Sequence, residues 1–145
     1  MERPAVNFLL DTHIWLWSLL EPERLSRAVA SALSARGARR WLSPVSVWEA
    51  LLLIERGRLS VDRPAEEWIR EALERAPIEE AAVTREVAFA SRSLATRHRD
   101  PVDRFLGATA RVFDLTLVTS DRQLFRLPGV HVLKNQPPRT RTRRA

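Results

Sequence analysis

The stretches VNFLLD at residues 6–11 and LTLVTSD at residues 115–121 decide the fold class. Each begins with a short apolar run, over 6–10 and 115–119, of the kind that forms a strand buried within a parallel sheet. An aspartate follows each run, Asp11 the first and Asp121 the second. Because ligands of open α/β sheets bind beyond the carboxyl ends of the strands, we expect both acids at a binding site.

The segments between these two strands have the spacing of helices. Ser43 before Pro44 and Asp100 before Pro101 are N-cap and N1 pairs, which predict two helix starts. Helices are predicted over residues 12–20, 26–36, 44–56, 64–76, 84–98 and 101–113, and further short strands over 41–43, 81–83 and 130–133. This alternation predicts a single α/β domain with a central parallel sheet flanked by helices.

Composition limits the chemistry that is open to the chain. The 145 residues are 45% apolar and contain no cysteine, which excludes disulfides, thiolate zinc sites and thiol nucleophiles. The longest stretch without Asp, Glu, Lys or Arg, residues 12–20, is much shorter than the about 20 residues of a membrane-spanning helix. Asp11 interrupts the apolar run that begins at Val6, and no small-residue cleavage site follows, so a secretory signal is not expected and a cytoplasmic protein is.

The positive charge is concentrated at the end of the sequence. The last twelve residues carry +5, and this subtracted from the total of +6 leaves +1 for residues 1–133. We therefore predict a folded domain over 1–133 and a basic, disordered tail over 134–145. The tail either holds a phosphate backbone or only aids solubility.

Four carboxylates are candidates for a site: Asp11, Glu49, Asp103 and Asp121. The three aspartates each have a local alternative, because each lies where it can stabilise a helix N-terminus. Glu49 is the only charged residue of VSVWEALLLI, at 45–54, with Ser46 three residues earlier to orient it; alternatively its carboxylate reaches water at the margin of the core.

Carboxylates gathered in one pocket need a cation, because two of them about 4 Å apart repel by roughly 4 kcal/mol at an effective dielectric constant of 20. Oxygen ligands alone favour Mg²⁺ or Mn²⁺. The alternative is that the four acids are helix caps at separate places in the fold and form no common site. Zinc is disfavoured, because His13, His98 and His131 lie on different predicted elements.

Four motifs resemble those of the PIN domain and, within it, of the VapC-like toxins of type II toxin–antitoxin pairs. They are LLDTHIWLW at 9–17, SPVSVWEALLLIERGRL at 43–59, HRDPVDRFLGATA at 98–110 and LTLVTSD at 115–121. The resemblance implies an acidic site at Asp11, Glu49, Asp103 and Asp121, with Thr119 as a nearby hydroxyl and Asp100 as a helix cap. Val102 stands where a phenylalanine is usual.

The resemblance further implies a metal-dependent endoribonuclease that hydrolyses RNA phosphodiester bonds, forms a homodimer and is inhibited by a cognate antitoxin. One or two Mg²⁺ ions held by the acids would activate water for attack on the phosphodiester. Arg104 either clamps a phosphate or forms a surface salt bridge. The apolar surface around Trp48 and residues 51–54 is a candidate dimer contact.

Two other functions fit parts of the pattern. The acids can hold a cation for structure alone in a non-catalytic PIN-like module that binds RNA or protein. A phosphotransfer domain also has an aspartate after a strand, but His13 occupies the position where one such class needs a second acid. The other such class needs a lysine after a later strand, and the only lysine of this chain is Lys134.

Overall fold

One parallel sheet organises the part of the chain that this computed structural model describes, residues 5–94 and 99–136. Its strands are β1 Val6–Leu10, β2 Ala38–Leu42, β3 Glu79–Glu80, β4 Thr116–Thr119 and β5 Val132–Lys134. Their order is β3-β2-β1-β4-β5, so the chain builds outward from β1 first on one side and then on the other. The switch point between β1 and β4 is where open α/β sheets bind ligands.

The α-helices of the described residues are α1 Thr12–Leu20, α2 Arg27–Ser34, α3 Pro44–Glu55, α4 Ala65–Arg75, α5 Arg85–Ser93 and α6 Pro101–Val112. Short 3-10 helices occupy Pro22–Arg24 and Arg122–Leu124. The predicted caps are confirmed, because Ser43 and Asp100 each accept a hydrogen bond from a backbone N–H of the first helical turn. None of these helices is long and apolar enough to cross a membrane.

The core lies on both faces of the sheet because successive side chains of a strand point to opposite sides. Phe8 and Leu10 of β1 pack with helices α1 to α4, whereas Leu9 packs with α6. Helix α5 packs on α6. The predicted α/β architecture is therefore confirmed.

The hydrophobic pattern located the central strands and misplaced the outer ones. β2 begins at Ala38 and not at residue 41, and β3 is Glu79–Glu80 and not 81–83. Arg39 of β2 forms an ion pair with Glu79, and both side chains are partly exposed. Strands near the edge of a sheet tolerate such charged residues, so no apolar run marks them.

The fold continues past residue 133, the predicted end of the domain. Lys134 pairs with Thr119 in β5, and the side chain of Asn135 is buried. The rest of the predicted tail, from residue 137 onward, lies outside the described residues, as do residues 95–98 at the predicted end of α5.

Candidate active site

Asp11 lies at the carboxyl end of β1, in the middle of the sheet, and is only 8% exposed. Its Oδ1 accepts a hydrogen bond of 2.7 Å from the backbone N–H of Thr12, the first residue of α1. Its Oδ2 accepts one of 2.6 Å from the hydroxyl of Thr119. Asp11 thus caps a helix and also faces β4, so the two interpretations of this residue are compatible.

Asp121 follows the adjacent strand, β4. Its backbone N–H donates a hydrogen bond of 3.0 Å to the Thr119 hydroxyl oxygen. Its carboxylate accepts one of 2.9 Å from the backbone N–H of Gln123, which caps the 3-10 helix Arg122–Leu124. The Thr119 hydroxyl therefore bridges the two aspartates at the ends of β1 and β4.

Glu49 reaches the same edge from α3, where it is half-buried. The start of α3 is tied to the start of α1 by a hydrogen bond of 2.9 Å from the Thr12 hydroxyl to that of Ser46. Both hydroxyls are fully buried. Ser46, which the sequence suggests as a partner of Glu49, accepts the hydrogen bond of Thr12 in the structure and so links α3 to α1.

The fourth acid, Asp103, lies half-buried on the first turn of α6. Asp100 precedes this helix and accepts a hydrogen bond of 2.9 Å from the backbone N–H of Val102, as expected of a cap. Arg104 does not line the site among the described residues; its guanidinium donates a hydrogen bond of 3.0 Å to the Ser91 carbonyl of α5.

All four predicted acids line one cavity of about 530 Å³ at the carboxyl edge of the sheet. Its lining in the described part of the chain is Asp11, His13, Trp17, Arg24, Glu49, Asp100, Asp103, Ser120 and Asp121. A second cavity of about 1020 Å³ shares part of this lining and continues along α1 and α3. The four acids therefore face one cavity, and two of them, Asp11 and Asp121, are also helix caps.

Sequence reasoning missed four lining residues: His13, Trp17, Arg24 and Ser120. His13 and Trp17 are four residues apart on α1, and their ring centroids lie 5.9 Å apart, so helical spacing from Asp11 was an available signal. Arg24 lies with its guanidinium carbon 4.1 Å from the Trp17 ring centroid and pairs with Glu21 at 3.3 Å. No local pattern marks Arg24.

The electrostatics of the cavity favour a cation. Burial raises the pKa of Asp11, with a smaller contribution in the same direction from Glu49, against the opposing effects of the Thr119 and Thr12 hydrogen bonds and of His13. Within residues 5–94 and 99–136, no basic side chain forms an ion pair with Asp11, Glu49 or Asp121. A positive ion beside Asp11 would offset its loss of hydration.

The donor set also fits a hard cation, because it consists of carboxylate and hydroxyl oxygens. In the described residues no group of three or more His, Asp and Glu side chains is arranged to hold a metal ion. Like charges repel one another in the absence of a counterion.

The fold and the site together define an α/β domain with an acid-lined cavity at the switch point of its parallel sheet. The model of the PIN domain family matches residues 8–130. The chain belongs to the PIN domain family, as its motifs indicated.

Comparison with known proteins gives relatives within this family. The chain is 32% identical over 117 residues to Ribonuclease VapC22 of Mycobacterium tuberculosis, a match that covers 80% of this chain and 88% of that protein. VapBC2 of Rickettsia felis, solved with a fragment of promoter DNA, has a similar fold, with a TM-score of 0.68 at 14% identity, and covers 89% of this chain and 98% of that one. FitAcB of Neisseria gonorrhoeae has a TM-score of 0.61 at 26% identity, over 88% and 97% of the two chains.

Proposed function

We propose that this chain is a metal-dependent endoribonuclease, the toxin of a type II toxin–antitoxin pair that acts in the cytoplasm. The observation that carries the proposal is that acids from four separate segments line one cavity at the switch point of the sheet. The name of the M. tuberculosis relative, a ribonuclease, supports RNA as the substrate. Hydrolysis at such a site does not use the 2′-hydroxyl, so the acids themselves do not select RNA over DNA.

The residues proposed to hold Mg²⁺ or Mn²⁺ are Asp11, Glu49, Asp103 and Asp121. A divalent cation bound there would stabilise negative charge on the phosphodiester oxygens and would make a water molecule more acidic. The chain itself supplies position: Thr119 bonds to the carboxylate of Asp11 and to the main chain of Asp121. Burial of Asp11 also keeps bulk water away from this carboxylate, which strengthens its attraction for a cation.

A protein partner is proposed for the larger cavity beside the acids. This cavity of about 1020 Å³ is lined by apolar side chains such as Leu16, Trp48 and Leu52, and it shares Glu49 with the acidic cavity. Trp48 is 53% exposed. A segment of a cognate antitoxin lying here would block access to the acids. The apolar surface of α3 around residues 51–54 is also proposed to contribute to a homodimer.

The test is cleavage of total cellular RNA by the purified, partner-free protein in Mg²⁺, in Mn²⁺ and in EDTA, with mapping of new 5′ ends. We expect discrete cuts that need both the metal and Asp11. Asp11→Asn is compared with Asp62→Asn, which changes an exposed carboxylate outside the acidic cavity. Equal cleavage by wild type and Asp11→Asn would contradict the proposal, and metal binding without cleavage would favour the non-catalytic module.

A further inference from the structure

His13 and Trp17 form an aromatic pair in the wall of the acidic cavity. The two residues lie four positions apart on α1, and their ring centroids are 5.9 Å apart at an interplanar angle of 55°. His13 is exposed, whereas Trp17 is half-buried. Because α1 begins directly after Asp11, the exposed ring belongs to a residue only two positions beyond that carboxylate.

Arg24 completes this wall. Its guanidinium carbon lies 4.1 Å from the centroid of the Trp17 ring, and its Nη1 donates a hydrogen bond of 3.3 Å to the Glu21 carboxylate. A guanidinium group has several N–H donors along its edge, so the contact with Glu21 does not exhaust them. Within residues 5–94 and 99–136, Arg24 is the only arginine or lysine that lines the acidic cavity.

The side chain of Asn135 holds the segment that carries Arg24. Asn135 is buried, and its Nδ2 donates hydrogen bonds of 3.1 Å to the Arg24 carbonyl and 2.8 Å to the Ser120 hydroxyl. Its Oδ1 accepts one of 2.6 Å from the backbone N–H of Ser26. Its own backbone N–H donates one of 2.8 Å to the Thr119 carbonyl. The main chain at Arg24 is therefore fixed relative to the end of β4.

The charge of the cavity limits how a nucleic acid can bind there. Its lining in the described part of the chain has five carboxylates and one arginine, which together repel phosphates. A base is uncharged and is not subject to this repulsion. Bases of single strands stack on aromatic side chains, whichever base is present, because every base has a flat face. The aromatic pair thus offers affinity that the acids do not oppose.

We propose that His13, Trp17 and Arg24 form a nucleotide subsite beside the acids. A base of single-stranded RNA stacks on the exposed ring of His13, which is paired with Trp17, and the Arg24 guanidinium binds the phosphate of that nucleotide. Asn135 is a positioning residue that holds the main chain of Arg24. The subsite rests on the proposed function for the identity of the substrate.

The first experiment tests the base and measures binding only. In an Asp11→Asn background with EDTA, affinity is followed by fluorescence anisotropy with two labelled probes. One probe is a short single-stranded RNA of mixed sequence, and the other is an oligomer of the same length that keeps every ribose and phosphate but has no bases. His13→Ala is compared with His13→Phe, which keeps a flat ring, and with His131→Ala, which changes an exposed histidine outside the acidic cavity.

We expect His13→Ala to weaken binding of the RNA by about fivefold or more, the effect of losing one stacked base. His13→Phe and His131→Ala should bind the RNA as the parent protein does, and none of the three changes should affect the oligomer without bases. An undiminished affinity of His13→Ala for the RNA, an equal loss on both probes, or a parent protein that binds the RNA no better than the oligomer without bases would overturn the proposal.

The second experiment tests the phosphate contact and its positioning, with the same RNA at several salt concentrations. Arg24→Ala should make the slope of log K against log salt shallower by about 0.7, the value for one phosphate of a single strand, whereas the exposed Arg27→Ala should not. An unchanged slope in Arg24→Ala would refute the phosphate contact.

Asn135→Ala should also weaken binding, but it should add little in a protein that already carries Arg24→Ala, because the contact that it positions is then absent. The free energy of unfolding, measured on the same proteins, should instead fall by the same amount with and without Arg24. An effect of Asn135→Ala on binding that is equally large in both backgrounds would refute the positioning role.

The outcomes also separate the subsite from the proposed function. If the protein binds RNA through His13 and Arg24 but the wild type cleaves none in Mg²⁺ or Mn²⁺, the proposed function fails and the subsite stands. If the wild type cleaves RNA while His13→Ala binds it equally well, the function stands and the subsite is wrong.

Discussion

The hydroxyl of Thr119 donates a hydrogen bond of 2.6 Å to the carboxylate of Asp11, 108 residues earlier in the chain. The same oxygen accepts a hydrogen bond of 3.0 Å from the backbone N–H of Asp121. The strands that precede the two aspartates, β1 and β4, are neighbours in the sheet, with Leu10 opposite Val118. One buried hydroxyl therefore sets the spacing between two of the proposed metal ligands.

Replacing Thr119 by valine should lower RNA cleavage by about 10- to 100-fold, the usual cost of removing a group that orients a metal ligand. Valine keeps the shape of the side chain but neither donates to Asp11 nor accepts from Asp121. Thr119→Ser retains the hydroxyl and should recover most of the activity. Cleavage rates measured at several Mg²⁺ concentrations would check this, and equal activity of the valine and serine variants would refute it.

Asp11→Asn should abolish cleavage and, at neutral pH, raise the free energy of unfolding. Burial raises the pKa of Asp11 in the folded state, so ionisation of this carboxyl opposes folding. An amide of the same shape can still accept from Thr12 and can donate to Thr119. Chemical denaturation of both proteins without metal at pH 7 is the measurement, and a less stable variant would contradict the assigned environment.

The increase in the free energy of unfolding caused by Asp11→Asn should itself depend on pH, in a defined direction. Below about pH 4, the unfolded-state pKa, Asp11 is protonated in both states and asparagine confers no advantage. As the pH rises toward the raised pKa of the folded state, the unfolded chain releases a proton that the folded chain keeps, so the wild type loses stability relative to the variant. A stability difference that grew toward lower pH would exclude this account.

Mg²⁺ or Mn²⁺ should raise the melting temperature of the wild type. A ligand that binds only the folded state contributes about 2.7 kcal/mol at one hundred times its dissociation constant. The effect should be largely absent in Asp11→Asn and kept in Asp62→Asn, whose exposed carboxylate lies outside the acidic cavity. Calorimetric scans with and without the ion test this, and an equal shift in all three proteins would indicate binding elsewhere.

Arg24→Ala should raise the KM for RNA by about tenfold or more with little change in kcat. Arg24 is the one arginine among the described residues that line the acidic cavity, and the Trp17 ring and Glu21 hold it in place. We expect the Arg24 guanidinium to bond to a phosphate of the RNA, and removing such a charge-assisted hydrogen bond costs about 1.5–3 kcal/mol. If the bond is equally strong in the substrate complex and in the transition state, its loss raises KM and leaves kcat unchanged. Arg27→Ala, on an exposed position of α2, should behave as wild type. A fall in kcat alone would instead place Arg24 in the chemical step.

The sequence predicted those parts of the fold whose signals are local. β1 and α1 occupy the predicted residues, because an apolar run and the following aspartate carry their own signals. The charged strand β3 could not be found this way, since its pairing with β2 depends on a neighbour far away in sequence. Among the acids, Glu49 and Asp103 were candidates from their local patterns, but their assignment to one site came from the resemblance, because nothing local says that α3 and α6 meet at one cavity.

The sequence by itself determined the parallel α/β class, the main helix caps, the acids available for a cation and the charge of the last residues. Those properties follow from local spacing and composition. Only the tertiary structure decided that Thr119 bridges Asp11 and Asp121, that Ser46 bonds to Thr12, and that the side chain of Asn135 bonds to Ser120. Such contacts depend on strand order and helix packing, which result from the burial of the whole core.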